Sequence, residues 1–262
     1  MEIREYAKRI LSSPRIEDKI APPPGFLTDH DPGTPLFWTF PARPESLVIR
    51  TQKTRVPMPG PDQLADPRSR GKCLHFFANH ELQALEIMAF ALLAYPQAPA
   101  RFRRELLSPL RDEARHLQIY IQRMKELGIA FGDLPISDNF WSKTKDLHTP
   151  LHYLATLSLT LEGANLDHLP YYEKLFREAG DDRTGDLFAQ IYKDEIQHVH
   201  FGVQWMRELN TSDRSEWDVY CNSLKWPMRP QKARGKIYLR QGRVEAGMSE
   251  SFIDQLEASF EA

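Results

Sequence analysis

Cysteine is nearly missing from this chain: its 262 residues include two, Cys73 and Cys221. A disulfide framework is therefore not expected, and the reducing cytoplasm is the compartment this implies. Long apolar runs are missing too. The apolar stretch over residues 149–161, free of Asp, Glu, Lys and Arg, is too short and too polar to cross a bilayer. The first thirty residues mix charges throughout, so no signal peptide is expected. There is no large excess of charge of either sign. The formal net charge is −2, which singles out neither nucleic acid nor a membrane as partner. What remains is an ordinary globular balance, 41% hydrophobic and 27% charged, in a length that suits a sizeable core.

Proline divides the chain. More than half of its 20 prolines fall in residues 1–70, including Pro22-Pro-Pro24 and Pro57-Met-Pro-Gly-Pro61. Proline lacks a backbone donor and fixes φ, so no long helix is expected there. We read residues 1–70 as an irregular arm with one short helix over 3–11. The arm is expected to wrap on the rest, because Phe37, Trp38, Phe40 and Leu47 favour burial. From residue 72 four long helical patterns follow. The first covers 72–95 and ends at Pro96. The second starts at Ser108-Pro109, a cap followed by proline in the first turn, and stops at Gly128. The third starts with the same signal at Thr149-Pro150 and reaches Ala179, with a kink at Pro170. The fourth covers 184–209. Residues 71–210 are thus expected to form an all-α four-helix bundle, and 211–262 a C-terminal extension with a short helix over 250–260. The extension is basic. Between Val219 and Val244 it has seven basic residues and no acidic one.

Core positions of a bundle helix recur at spacings of three and four. Traced on the second helix, that stripe reads Leu110, Glu113, Leu117, Tyr120, Met124, Leu127. The fourth reads Phe188, Ile191, Glu195, His198, Gly202, Trp205, Leu209. The first reads Leu74, Ala78, Glu81, Leu85, Met88, Leu92, and the third carries Glu162 directly after eleven residues without Asp, Glu, Lys or Arg. Each helix therefore puts a glutamate on its core face. A buried carboxylate costs several kcal/mol, of the order of the Born penalty after relaxation, unless something neutralises it. Two divalent cations would cancel four such charges. His116 follows Glu113 by three residues and His198 follows Glu195 by three, close to one helical turn, so each pair can reach one ion. The spacings also repeat: Glu81 to Glu113 is 32 residues and Glu162 to Glu195 is 33. Such a repeat is what a two-fold site of two equivalent helical hairpins requires.

This pattern, a lone Glu on each of two helices and Glu-x-x-His on each of the other two, resembles the ferritin-like di-iron carboxylate superfamily. The segments His80-Glu-Leu-Gln-Ala-Leu-Glu86, Leu161-Glu-Gly-Ala-Asn-Leu-Asp-His168 and Asp194-Glu-Ile-Gln-His198 look like a bacterial branch of it whose function is unknown. The similarity covers about 72–209, and a more distant one exists to di-iron tRNA hydroxylases. The resemblance implies a ferritin-like bundle with two metal ions, iron first and manganese or an Fe/Mn pair second, on Glu81, Glu113, His116, Glu162, Glu195 and His198.

Glu86 competes with Glu81 for the first ligand position. Five residues turn a helix by about 140° beyond a full turn, so both cannot face one ion. Glu81 fits the stripe. Glu86 and Asp167 then become acids behind the ligands or between helices. Asp112 and Asp194, each just before a ligand glutamate, are candidates to orient a ligand histidine, and exposed helix acids are the equal alternative. Tyr120 is a candidate hydrogen-bonding or redox tyrosine, with core packing favoured. His75, His80, His148, His152, His168 and His200 read as ordinary histidines. The basic run 225–243 could attract phosphate, RNA or an anionic substrate, and docking on the acidic bundle is favoured over that.

The expected function is O2-dependent oxidation or hydroxylation of an unknown small molecule, served by an electron-transfer reductase. The alternatives are a ferroxidase or storage protein and a tRNA-modifying hydroxylase. A homodimer stays open as an assembly.

Overall fold

Asp66 and Pro67 start the longest helix of the N-terminal half. In this computed structural model, which describes residues 1–49 and 57–261, the Asp66 carboxylate accepts from Arg68 N (3.2 Å) and Ser69 N (3.0 Å) and caps that helix. All regular structure among the described residues is helical, apart from one isolated bridge between Glu2 and Thr28. No described helix is long and apolar enough to cross a membrane. The chain divides into two compact units, Met1–Lys145 and Asp146–Ala262.

The first unit holds α1 (Ile3–Ser12), α2 (Ile16–Ile20), α3 (Pro67–Ala94), α4 (Ala100–Glu105) and α5 (Leu107–Glu126). α3 packs against α5 and α1. From residue 81 to 94 every α3 position is buried, so it is a central helix rather than an amphipathic one. Its polar residues are therefore matched individually. Gln83 Oε1 accepts from Phe140 N (3.1 Å) and Trp141 N (3.0 Å), and its Nε2 donates to Asn79 O (3.1 Å). α5 ends where Gly128 adopts φ +75°, and Ile129 N reaches back to Met124 O at 3.0 Å.

Hydrogen bonds tie the N-terminal arm to α3, to α1 and to the segment after α5. Leu36 N donates to Leu93 O (2.9 Å), Ala42 N to Leu11 O (2.8 Å) and Trp141 Nε1 to Thr39 O (3.0 Å). Leu47 is buried and Trp38 half-buried, but Phe37 and Phe40 are exposed, 53% and 66%. Burial of those two phenylalanines was the wrong expectation: proline-bounded extended chain is held by backbone bonds and by Asp29, which takes Arg103 Nη2 at 2.8 Å. Residues 50–56 of the expected arm lie outside the described residues. α3 begins five residues before the expected start, and α4 was not foreseen in the Arg-rich run after Pro99.

The second unit holds α6 (Pro150–Tyr153), a π-helical segment (Leu154–Leu161), α7 (Glu162–Glu178), α8 (Asp182–Leu209), α9 (Glu216–Ser223), α10 (Arg240–Glu245) and α11 (Glu250–Ala258). The Thr149 cap on α6 is present, accepting from His152 N. The third expected helix is thus continuous but widened for eight residues, and α7 runs on through Pro170. Within the wide segment Thr160 Oγ1 donates to Ala155 O (2.7 Å), which leaves the Tyr220 hydroxyl to donate to Thr160 (2.8 Å). α7 and α8 form a hairpin through Gly180, φ +76°, with the Asp181 carboxylate capping α8. Gly202 of α8 faces the wide segment so closely that a Cβ there would lie 2.6 Å from Ser158 Cβ.

Candidate metal centre

In the first unit α3 carries Glu81, and α5 carries Glu113 and His116 three residues apart. All three are buried. Each offers a ligand atom, and these atoms lie within 4.8 Å of one another. His116 Nδ1 is 3.3 Å from Glu81 Oε2. Burial opposes ionisation of Glu81, but hydrogen bonds from Glu113 and His116 and the charge of His116 outweigh it and hold its carboxyl below the ordinary range. Two carboxyl groups in hydrogen-bonding reach cannot both be charged without a shared proton or a cation. Oxygen and imidazole donors at this spacing suit iron, manganese or zinc, so this triad could hold a metal ion.

The second unit carries the same residue types on its own pair of helices. Glu162 opens α7, and α8 carries Glu195 and His198, all three buried. Glu162 and His198 offer ligand atoms within 4.8 Å of each other. His198 Nδ1 lies 3.9 Å from Glu195 Oε1. Hairpin for hairpin, each unit presents two glutamates and one histidine from two packed helices.

Glu86 and Asp167, each five residues beyond a lone glutamate, are engaged elsewhere. Glu86 is fully buried between two cations of the N-terminal arm: Lys19 Nζ at 3.0 Å, and Arg43, whose Nε lies 3.1 and 3.2 Å from the two carboxylate oxygens and whose Nη2 also donates. Burial pulls the Lys19 ammonium below its ordinary pKa, and Glu86 pulls it back up. Glu81 rather than Glu86 therefore stands with Glu113 and His116. Asp167 is matched by Arg243 of the C-terminal extension, with Nη1 at 2.8 Å from Oδ1 and Nη2 at 2.9 Å from Oδ2. The partners of these two arginines were not readable in the sequence, although Arg243 belongs to the basic run, because they are 43 and 76 residues away.

Asp112 is half-buried and pairs with Arg115 at 2.9 Å. Asp194 is half-buried on α8. Tyr120 is fully buried, with its ring 5.8 Å from Phe77. His75 accepts from Gly132 N (3.1 Å), and burial lowers its pKa to about 4. His80 stacks on Phe140, and His200 meets Ala246 O at 3.1 Å. Of the basic run, Arg243 is buried on Asp167, and Arg240 takes Glu250, Asp254 and Glu257 of α11. Lys236 lies over Tyr171, and Arg234 over Phe260.

The fold and these side chains define an all-helical protein with two buried glutamates and a buried histidine in each unit. Residues 6–254 match the family described as "Protein of unknown function (DUF455)", and the chain belongs to that family. No curated protein and no solved structure matches it.

Proposed function

We propose that these six glutamates and histidines hold two metal ions, with iron favoured, as in a ferritin-like four-helix bundle, and that the protein is an O2-dependent oxidoreductase. The bundle would consist of α3, α5, the helix over 150–178 and α8. The observation that carries this reading is the first triad, where Glu81, Glu113 and His116 bring three ligand atoms within 4.8 Å in a buried setting. The matching types in the second unit give the equivalent half.

Glu81, Glu113, Glu162 and Glu195 would supply four negative charges, the number that two divalent ions neutralise. His116 and His198 would each supply a neutral imidazole. The apolar wide segment, with Leu154, Leu157 and Leu159 buried, would keep bulk water from Glu162. Two ferrous ions held there would supply two of the four electrons that reduce O2, and the small-molecule substrate, oxidised or hydroxylated, would supply the other two.

The test is metal analysis of protein produced in iron-rich medium, followed by O2 uptake of the ferrous protein in a sealed electrode cell. About two metals per chain are expected for a six-residue set of this kind, with rapid O2 uptake. Metal-free protein, or bound iron inert to O2, ends the oxidoreductase reading. Iron accumulating far beyond two per chain would replace it with storage.

A further inference from the structure

We propose that Arg243 is a positioning residue that holds the first turn of α7, and with it Glu162, in ligand orientation. The inference rests on the reading of Glu162 as a metal ligand.

Glu162 sits at the joint where the π-helical segment gives way to α7. A π turn takes in an extra residue, so such a joint fixes helical phase weakly. A slip of one residue there turns a side chain by about 100°. Arg243 grips both ends of the turn that follows. Its Nη2 donates to Gly163 O at 3.1 Å, the carbonyl next to Glu162, and its two terminal nitrogens fork onto Asp167 at 2.8 and 2.9 Å. Residues 163 and 167 are four apart, on one helix face. A planar fork spanning them locks the rotation of the turn that carries Glu162.

The arginine is itself fixed. Nη1 donates to Leu239 O (2.8 Å) and Nη2 to Ala233 O (2.6 Å), and Cζ lies 4.2 Å from the Tyr238 ring centre. Its side chain is closed to solvent. Asp167 also accepts from Gly235 N (2.9 Å) and Leu239 N (2.8 Å). Gly235 admits no side chain, since a Cβ would lie 2.9 Å from Asp167 Cβ and from His168 Nδ1. Residues 233–243 of the extension are thus gathered around this one pair, and the pair bears on the residue after Glu162.

The experiment titrates Co2+ into wild-type protein, Arg243→Lys, Glu162→Gln and the double variant, reading affinity and the visible absorption of the bound ion. Lysine keeps the charge and loses the fork. We expect Arg243→Lys to weaken Co2+ binding roughly tenfold, as loss of a ligand-orienting partner does, and to shift the cobalt spectrum. In the Glu162→Gln background it should add nothing. Arg240→Met, which removes only the α11 ion pairs, should lower Tm and leave binding alone. If Arg243→Lys does not fold, Arg243→Gln with Asp167→Asn, an uncharged hydrogen-bonding pair, takes its place with the same expected result. Wild-type affinity and spectrum in the Arg243 variant, or an equal loss with and without Glu162, overturns the inference alone. A wild-type chain that takes up no cobalt overturns the metal reading and this inference together.

Discussion

Lys19 Nζ lies 3.0 Å from Glu86 Oε1, with both side chains closed to solvent. Arg43 shares the same carboxylate, so one buried anion serves two buried cations drawn from the N-terminal arm. Desolvation of three charges makes the cluster a poor net source of stability, but breaking it is costly. Glu86→Ala should lower the unfolding free energy by about 3–5 kcal/mol, because both cations lose their counterion. Arg43→Met should cost less, since Lys19 and Glu86 still balance. Urea unfolding of the two variants checks the order, and Glu86→Ala unfolding at the wild-type midpoint would show that the cluster is not buried as described.

The same residue separates the two candidates for the first ligand position. Glu86→Gln should destabilise the protein and leave its metal content near wild type. Glu81→Ala, Glu113→Ala and Glu195→Ala should each lose most of the bound metal while retaining a cooperative melt. Metal analysis after gel filtration reads both. Full occupancy in the Glu113 and Glu195 variants would mean that the ligand set is wrong.

How much of this could be read in advance follows from where the information sits in the chain. Helical periodicity and the Thr149-Pro150 start are local, so the long helices and the core placement of Glu81, Glu113, Glu162 and Glu195 were legible within a few residues. The π-helical widening at 154–161 was not, because an unbroken apolar run has the same composition with either hydrogen-bond pattern. Nor were the roles of Arg43 and Arg243, which sit in irregular segments and meet their partners only after folding. The exposed Phe37 and Phe40 show the reverse error, where side-chain character was trusted over proline-fixed backbone.

His75 sets a pH dependence. Its Nε2 accepts from Gly132 N at 3.1 Å and must be unprotonated to do so, and burial lowers its pKa from 6.5 to about 4. Below pH 6.5 the unfolded chain binds a proton that the folded one refuses, so stability falls as pH drops. The contribution is complete above 6.5 and is lost progressively towards 4. His75→Gln can still offer an acceptor to Gly132 without titrating. Its unfolding free energy should fall less steeply between pH 6.5 and 4 than that of the wild type. Equal slopes in urea unfolding across that range would remove His75 as the cause.

Gly202 offers a test that joins packing to the centre. A Cβ there would stand 2.6 Å from Ser158 Cβ and 2.9 Å from Leu159 Cδ2. The leucine can swing aside, but Ser158 Cβ is fixed to the backbone of the wide segment, so Gly202→Ala must push that segment away from α8. Overpacking of this kind costs about 1–3 kcal/mol. Ser158→Gly alone costs up to about 1 kcal/mol in helix propensity, yet it removes the atom in the way, so the double variant should be more stable than the sum of the two single effects predicts. The segment being pushed ends at Leu161, directly before Glu162, and His198 lies one turn before Gly202 on α8. Forcing them apart separates two side chains whose ligand atoms now lie within 4.8 Å. Gly202→Ala should therefore lose metal as well as stability, and Ser158→Gly should restore part of both. Additive stabilities with unchanged metal content would show that the wide segment yields at Ser158 without moving Glu162.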